Sequence, residues 1–184
     1  MIVRALLPAV LLLVLTACAQ GGPVSQDTEG DTAVPTSSAA LTVDPATLRP
    51  SEGFDVSEVV FTDGDERITM PVLVADEPSL RSTGLMRRTE LADDAGMLFV
   101  FDEPTSGAFW MKDTLLPLSI AFVGSDGTVQ QVLDMEPCAA NPCPRYTPDD
   151  PYVRAVEANQ GYFAAHDITV GWSLEFGGRG GGGQ

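Results

Sequence analysis

At 184 residues with 44% hydrophobic side chains, the chain has room for one ordinary domain plus appendages and little for a second. Its formal charge is -16, with 26 acids against 10 lysines and arginines. So acidic a surface repels phosphate backbones and anionic headgroups, which argues against nucleic acid as a partner and against electrostatic adhesion to a membrane.

The N-terminus is laid out as an export signal: Arg4, an apolar run from Ala5 to Leu15, then small Thr16 and Ala17 before Cys18. The run is too short to span a bilayer, which takes about 20 apolar residues. Leu15-Thr16-Ala17-Cys18 resembles the lipobox of bacterial lipoproteins. That resemblance implies a signal peptide over residues 1–17, cleavage before Cys18 and a diacylglyceryl group on its thiol, with fatty acyl chains such as palmitate. An ordinary signal peptide with an incidental cysteine is the alternative. The expected location is outside the cytoplasm, with the membrane as partner through the lipid on Cys18. The anchor would lie on the outer face of the cytoplasmic membrane, or on an outer membrane where the cell has one; two acyl chains hold stably where one does not.

Residues 18–54 are dominated by small and polar side chains and read as a flexible tether. Residues 177–184 form a glycine-rich tail that reads as disordered. The folded domain is expected over residues 55–176.

Within it, Val59 to Phe61 and Ile68 to Ala75 flank the turn Thr62-Asp63-Gly64-Asp65 and predict a hairpin. Pro78 to Leu85 predicts a short helix. Met97 to Phe101 and Ala108 to Met111 are apolar runs of strand length; period-two alternation puts Phe109 and Met111 on one face and Trp110 on the other. Leu118 to Val123, the turn Gly124 to Gly127, and Thr128 to Leu133 predict a second hairpin, and Tyr162 to His166 a helical turn. No fixed repeat and no strand-helix-strand alternation stands out. The expected fold is mainly β: a small, mostly antiparallel domain, closed or nearly closed into a barrel, with one or two short helices.

Cys138 and Cys143 remain once Cys18 is modified. In an oxidising compartment this even C-x4-C pair predicts one disulfide, worth roughly 2 kcal/mol on a chain-entropy basis. Metal binding is the rival, but His166 is the only histidine and lies far away in sequence, so neither metal nor cofactor is expected. C-x-x-C redox spacing is absent. Asp63-Gly64-Asp65 and Ser125-Asp126-Gly127 lack EF-hand spacing and read as hairpin turns.

Gly84-Leu85-Met86-Arg87-Arg88, Gly96-Met97-Leu98-Phe99-Val100-Phe101, Phe109-Trp110-Met111-Lys112-Asp113-Thr114, Pro117-Leu118-Ser119-Ile120-Ala121-Phe122 and Met135-Glu136-Pro137-Cys138 follow one another in a recognisable order. Together they resemble domain-of-unknown-function family 192, from about Val72 to Val170. The resemblance implies a compact, mainly β fold and supplies no reaction. Asp113 stands where the family usually shows asparagine, and Trp172 follows Gly171 where aspartate is common.

Lys112 is the only lysine, and its stem is expected along the apolar surface of Phe109-Trp110-Met111. It is a candidate base or nucleophile, or else a partner for Asp113 or Glu136. Arg87 and Arg88, with Arg81 and Lys112, would make a positive spot for a carboxylate or phosphate if their loops converge; the alternative pairs them with Glu90, Asp93 or Asp94. Trp110 is a candidate stacking platform. His166 reads as a polar residue at a helix end. The leading expectation is a binding module for a small anionic or carbohydrate ligand of the cell envelope, contacted by Arg87, Trp110 and Lys112, with Asp113 and Glu136 as further candidates. No catalytic constellation is recognised. The alternatives are an envelope hydrolase using Lys112 with Glu136 or Asp113, and a structural or assembly protein that binds a protein partner.

Overall fold

The computed structural model describes residues 53–138 and 141–177. The expected signal peptide, Cys18, the tether through residue 52 and tail residues 178–184 lie outside the described residues. The elements run β1 (Asp55–Thr62), β2 (Arg67–Ala75), α1 (Pro78–Thr83), β3 (Gly96–Thr105), β4 (Phe109–Trp110), β5 (Leu118–Val123), β6 (Val129–Met135), β7 (Arg145–Tyr146), β8 (Tyr152–Asn159), α2 (Tyr162–Ala165) and β9 (Ser173–Glu175).

Both expected hairpins form, and side chains in their turns explain why. Asp63 Oδ1 accepts the N–H groups of Asp65 and Glu66 at 2.9 and 2.8 Å, and Asp126 Oδ1 accepts that of Thr128 at 3.0 Å. These are the local bonds that make aspartate a turn former. His166 caps the end of α2, stacked on Tyr162 with ring centroids 4.2 Å apart.

Seven strands form one sheet in the order β6-β5-β8-β3-β2-β1-β9, and β4 pairs with β7 in a second, small sheet. Every neighbour in the large sheet is antiparallel except β2 with β3, which run parallel from Val72↔Gly96 to Ala75↔Phe99. That pair corrects the expectation of no strand-helix-strand unit. The crossover from β2 to β3 contains α1, whose six residues bury none of their side chains fully and so leave no helical stripe in the sequence.

The sheet curls into a half-barrel, and its two edges meet. Val129 N–H donates to Trp172 O at 2.7 Å and Leu174 N–H to Gly127 O at 2.8 Å, joining the start of β6 to β9. One apolar layer draws on all seven strands, through residues such as Phe61, Val72, Leu98, Val123, Val129, Val156 and Leu174, as the inner face of a curled sheet must. Trp172 is buried in this layer, so the departure from the family's aspartate falls inside the core. The opposite face carries a second layer that includes Leu73, Met97, Phe99, Ile120, Phe122 and Tyr152, covered by the chain between the strands. Strands buried on both faces read as continuous apolar runs, which is the pattern of β2 and β5. Phe54 joins the second layer at 5% exposure, so ordered packing begins just before the domain boundary expected at Asp55.

Gly96 shows how closely β3 and β8 approach. A Cβ built there would lie 2.5 Å from the Glu157 carbonyl oxygen and 2.8 Å from Met70 Sδ. Gly96→Ala is therefore expected to cost about 1–3 kcal/mol through overpacking, read as a lowered urea midpoint; an unchanged midpoint would mean the strands part easily.

Candidate functional site

The site lies on the face of the sheet that carries the second apolar layer, where α1, β3, β4 and the start of β8 converge. Proline at the head of α1 suits a position that needs no N–H donor, and the helix places Arg81 in its last turn. Arg81 Nη1 donates to the Asp76 carbonyl and, at 2.8 Å, to the Val100 carbonyl. The guanidinium lies over the Phe101 ring, 4.9 Å from its centroid. Held on two sides, Arg81 still has Nε and Nη2, which meet no acceptor among the described residues.

Beside it opens a groove of about 320 Å³, bounded by Pro78, Arg81, Phe101, Ala108, Trp110 and Tyr152. Its aromatic wall is a network of edge-to-face contacts, Phe99 with Phe109 at 5.0 Å and Phe101 with Tyr152 at 5.3 Å, backed by buried Phe122 at 5.0 Å from Tyr152. Such pairs add rigidity beyond their buried area. The Tyr152 hydroxyl donates to Gly107 O at 2.8 Å, and burial pushes its pKa up to about 12.

Trp110 stands outward at 40% exposure while Phe109 is half-buried and Met111 is buried, as the alternation predicts. The pairing Trp110↔Arg145 across β4 and β7 brings a second cation to it. Lys112 Nζ lies 5.5 Å and Arg145 Cζ 5.3 Å from the indole centroid, so two cations flank the ring. Lys112 interacts with this indole and forms no ion pair with Asp113 or Glu136 among the described residues. Its backbone bridges to Cys138, whose Cα lies 5.8 Å from that of Cys143, a separation that suits a disulfide.

The 84–88 and 112–114 loops do converge. Arg87 N–H donates to Asp113 O at 2.8 Å, and both residues have left-handed backbones, with φ of 62° and 55°. Asparagine and aspartate tolerate that conformation better than most residues, which gives a physical reason for either one at position 113. Arg87 and Asp113 are exposed and line neither the groove nor the cavity described next. Glu136 is also exposed, its Oε1 accepting from Gln160 Nε2 at 2.9 Å.

Glu157 was not anticipated. The register pairs it with Met97 on β3 and Ile120 on β5, both in the second apolar layer, so its side chain enters that layer too. It is 5% exposed, and no hydrogen bond or ion pair to another described residue acts on its carboxyl. Burial alone pushes its carboxyl up to about 8. It borders a cavity of about 40 Å³ together with Arg81, Leu85, Phe99, Phe109 and Thr114. A water needs some 10–15 Å³ on the same measure, so the space admits a small polar group. Arg81, Phe99, Phe109 and Trp110 border both spaces, so the cavity adjoins the inner side of the groove. In the sequence Glu157 is one acid among many, and with Arg154 it interrupts the mainly apolar run Tyr152 to Ala158.

Fold and site together define a small, mainly β half-barrel domain with an aromatic groove beside a buried acid. Residues 59–176 match DUF192, described as Uncharacterized ACR, and the chain belongs to that family. A protein of unknown function from Novosphingobium aromaticivorans DSM 12444 is similar at 30% identity and a TM-score of 0.65, over 70% of this chain and 91% of the other. A protein from Sinorhizobium meliloti 1021, described as a candidate transcription regulator, is similar at 32% identity and a TM-score of 0.61, over 66% of this chain and 94% of the other. No curated protein matches the chain.

Proposed function

We propose that the domain is a binding module for a small ligand with an anionic group and a flat apolar or sugar-like face. One observation carries this reading: a groove of about 320 Å³ with an aromatic wall in which Arg81, fixed by two carbonyls, retains donors for a ligand. That size falls at the lower end of ordinary small-molecule sites, about 300–1,000 Å³. A positioned arginine favours carboxylate or phosphate, and Trp110 with its flanking cations extends the electropositive rim. Compared with the residue set expected from sequence, Arg81 replaces Arg87 as the main anion contact and Lys112 acts from the rim through Trp110. A hydrolase built on Lys112 gains no support from the lysine's surroundings. The regulatory role named for the Sinorhizobium protein sits poorly with a charge of -16 if it requires DNA contact.

The reading includes export and a lipid anchor on Cys18, supported by the signal-like N-terminus, and a Cys138–Cys143 disulfide that braces the backbone beside Lys112. A thermal-shift screen of the full chain against anionic metabolites and envelope sugars tests the binding claim. A ligand at 100 times its Kd should add about 2.7 kcal/mol, a shift of several degrees. Arg81→Ala and Trp110→Ala should abolish the shift, Lys112→Ala weaken it and Arg87→Ala leave it. A blank screen, or a shift that survives both Arg81→Ala and Trp110→Ala, contradicts the reading.

A further inference from the structure

Glu157 is buried at 5% exposure, has no hydrogen-bond or ion-pair partner among the described residues, and borders a cavity that adjoins the groove. Such a group is costly to keep in a β core, where an apolar residue of similar size would pack beside Met97 and Ile120 without desolvation. Arg81 borders the same cavity. We propose that Glu157 serves as a neutral carboxylic acid that donates a hydrogen bond to an anionic ligand, a small carboxylate with a flat apolar body, whose charge is met by Arg81.

This inference rests on the binding-module reading and specifies its ligand. Two polar groups bordering the cavity can then act together as donors: the carboxylic acid from within the sheet and the guanidinium from α1. An ionised Glu157 would instead repel the anion. The groups facing Glu157 include Met97 and Phe99 from β3, Ile120 from β5, Leu85 from the loop after α1, and Phe109 and Thr114 from the covering segment. Among the residues bordering the cavity, Arg81 is the other charged group, and burial is the sole cause of the raised carboxyl value. The apolar body of the ligand would lie along Phe101 and Trp110 in the groove. Binding should therefore be gated by the Glu157 proton, present below about 8 and lost above it.

Phenylacetate is the probe, titrated calorimetrically into the full chain at about pH 6 and about pH 9, on either side of the Glu157 carboxyl's value. Wild type should bind and weaken about tenfold at the higher pH, the change in protonated fraction one unit above the carboxyl's value. Glu157→Gln keeps a donor at both pH values and should bind with unchanged affinity across them. Glu157→Leu, which has no donor, should lose about tenfold at the lower pH. If the leucine variant does not fold, the glutamine variant still decides. Wild-type binding that is abolished by Trp110→Ala yet indifferent to pH overturns the role of Glu157 and leaves the groove standing. No wild-type binding at about pH 6, or binding that ignores Trp110→Ala, overturns the inference; the second outcome also counts against the groove.

Discussion

Between about pH 5 and pH 9 the wild-type chain is expected to lose on the order of 4 kcal/mol of stability, and Glu157→Gln is expected to lose almost none of it. The carboxyl has an ordinary value of 4.5, which it resumes when unfolded, and about 8 when folded. Above 4.5 the unfolded chain has released this proton while the folded chain still holds it. The folded state then binds more protons, and stability falls as pH rises through the window, levelling off above about 8. Below 4.5 both states are protonated and the group contributes nothing. Asp63, Asp126 and Glu175 shift the other way, held low by hydrogen bonds, so their contributions are lost only at more acidic pH. A loss of this size is a large share of a typical domain's 5–15 kcal/mol. Urea unfolding of both proteins at the two pH values checks it. Equal wild-type stability at the two ends contradicts a neutral buried acid.

Trp172→Ala should cost about 3–5 kcal/mol, the range for removing a large aromatic from a core. Trp172 is 7% exposed within the inner layer, and its carbonyl accepts the Val129 N–H at the seam between the sheet's edges. The groove draws on the opposite layer, so the variant should keep the ligand response of wild type where it remains folded. A lowered urea midpoint with an intact ligand-induced shift is the expected pair of results. A loss below about 1 kcal/mol would mean that the ring packs less closely than its burial implies.

Much of the fold was legible because it is written in local signals. Leu118 to Val123 is an apolar run broken only by Ser119, and it is strand β5 at those bounds. Asp63 and Asp126 mark turns through bonds to their own backbone neighbours. What escaped notice was non-local. β8 sits between β3 and β5, but Arg154 and Glu157 interrupt its apolar pattern and the composition gives no reason to bury Glu157. β7 and β9 are two and three residues long and exist through pairing rather than propensity. At the site, Trp110 and Lys112 were found because an exposed aromatic beside a lone lysine is visible in one segment. Arg81 acquires its role only when α1 folds against β3 and Val100 supplies a carbonyl. Glu157 was indistinguishable from 25 other acids until the register turned its side chain inward.

The most direct test of a buried, unpartnered acid beside the groove is the titration of the Glu157 carboxyl carbon by NMR in the full chain, assigned with Glu157→Gln. The account predicts a midpoint near 8. A midpoint near the ordinary 4.5 would show that the carboxyl is solvated or paired, and would contradict it.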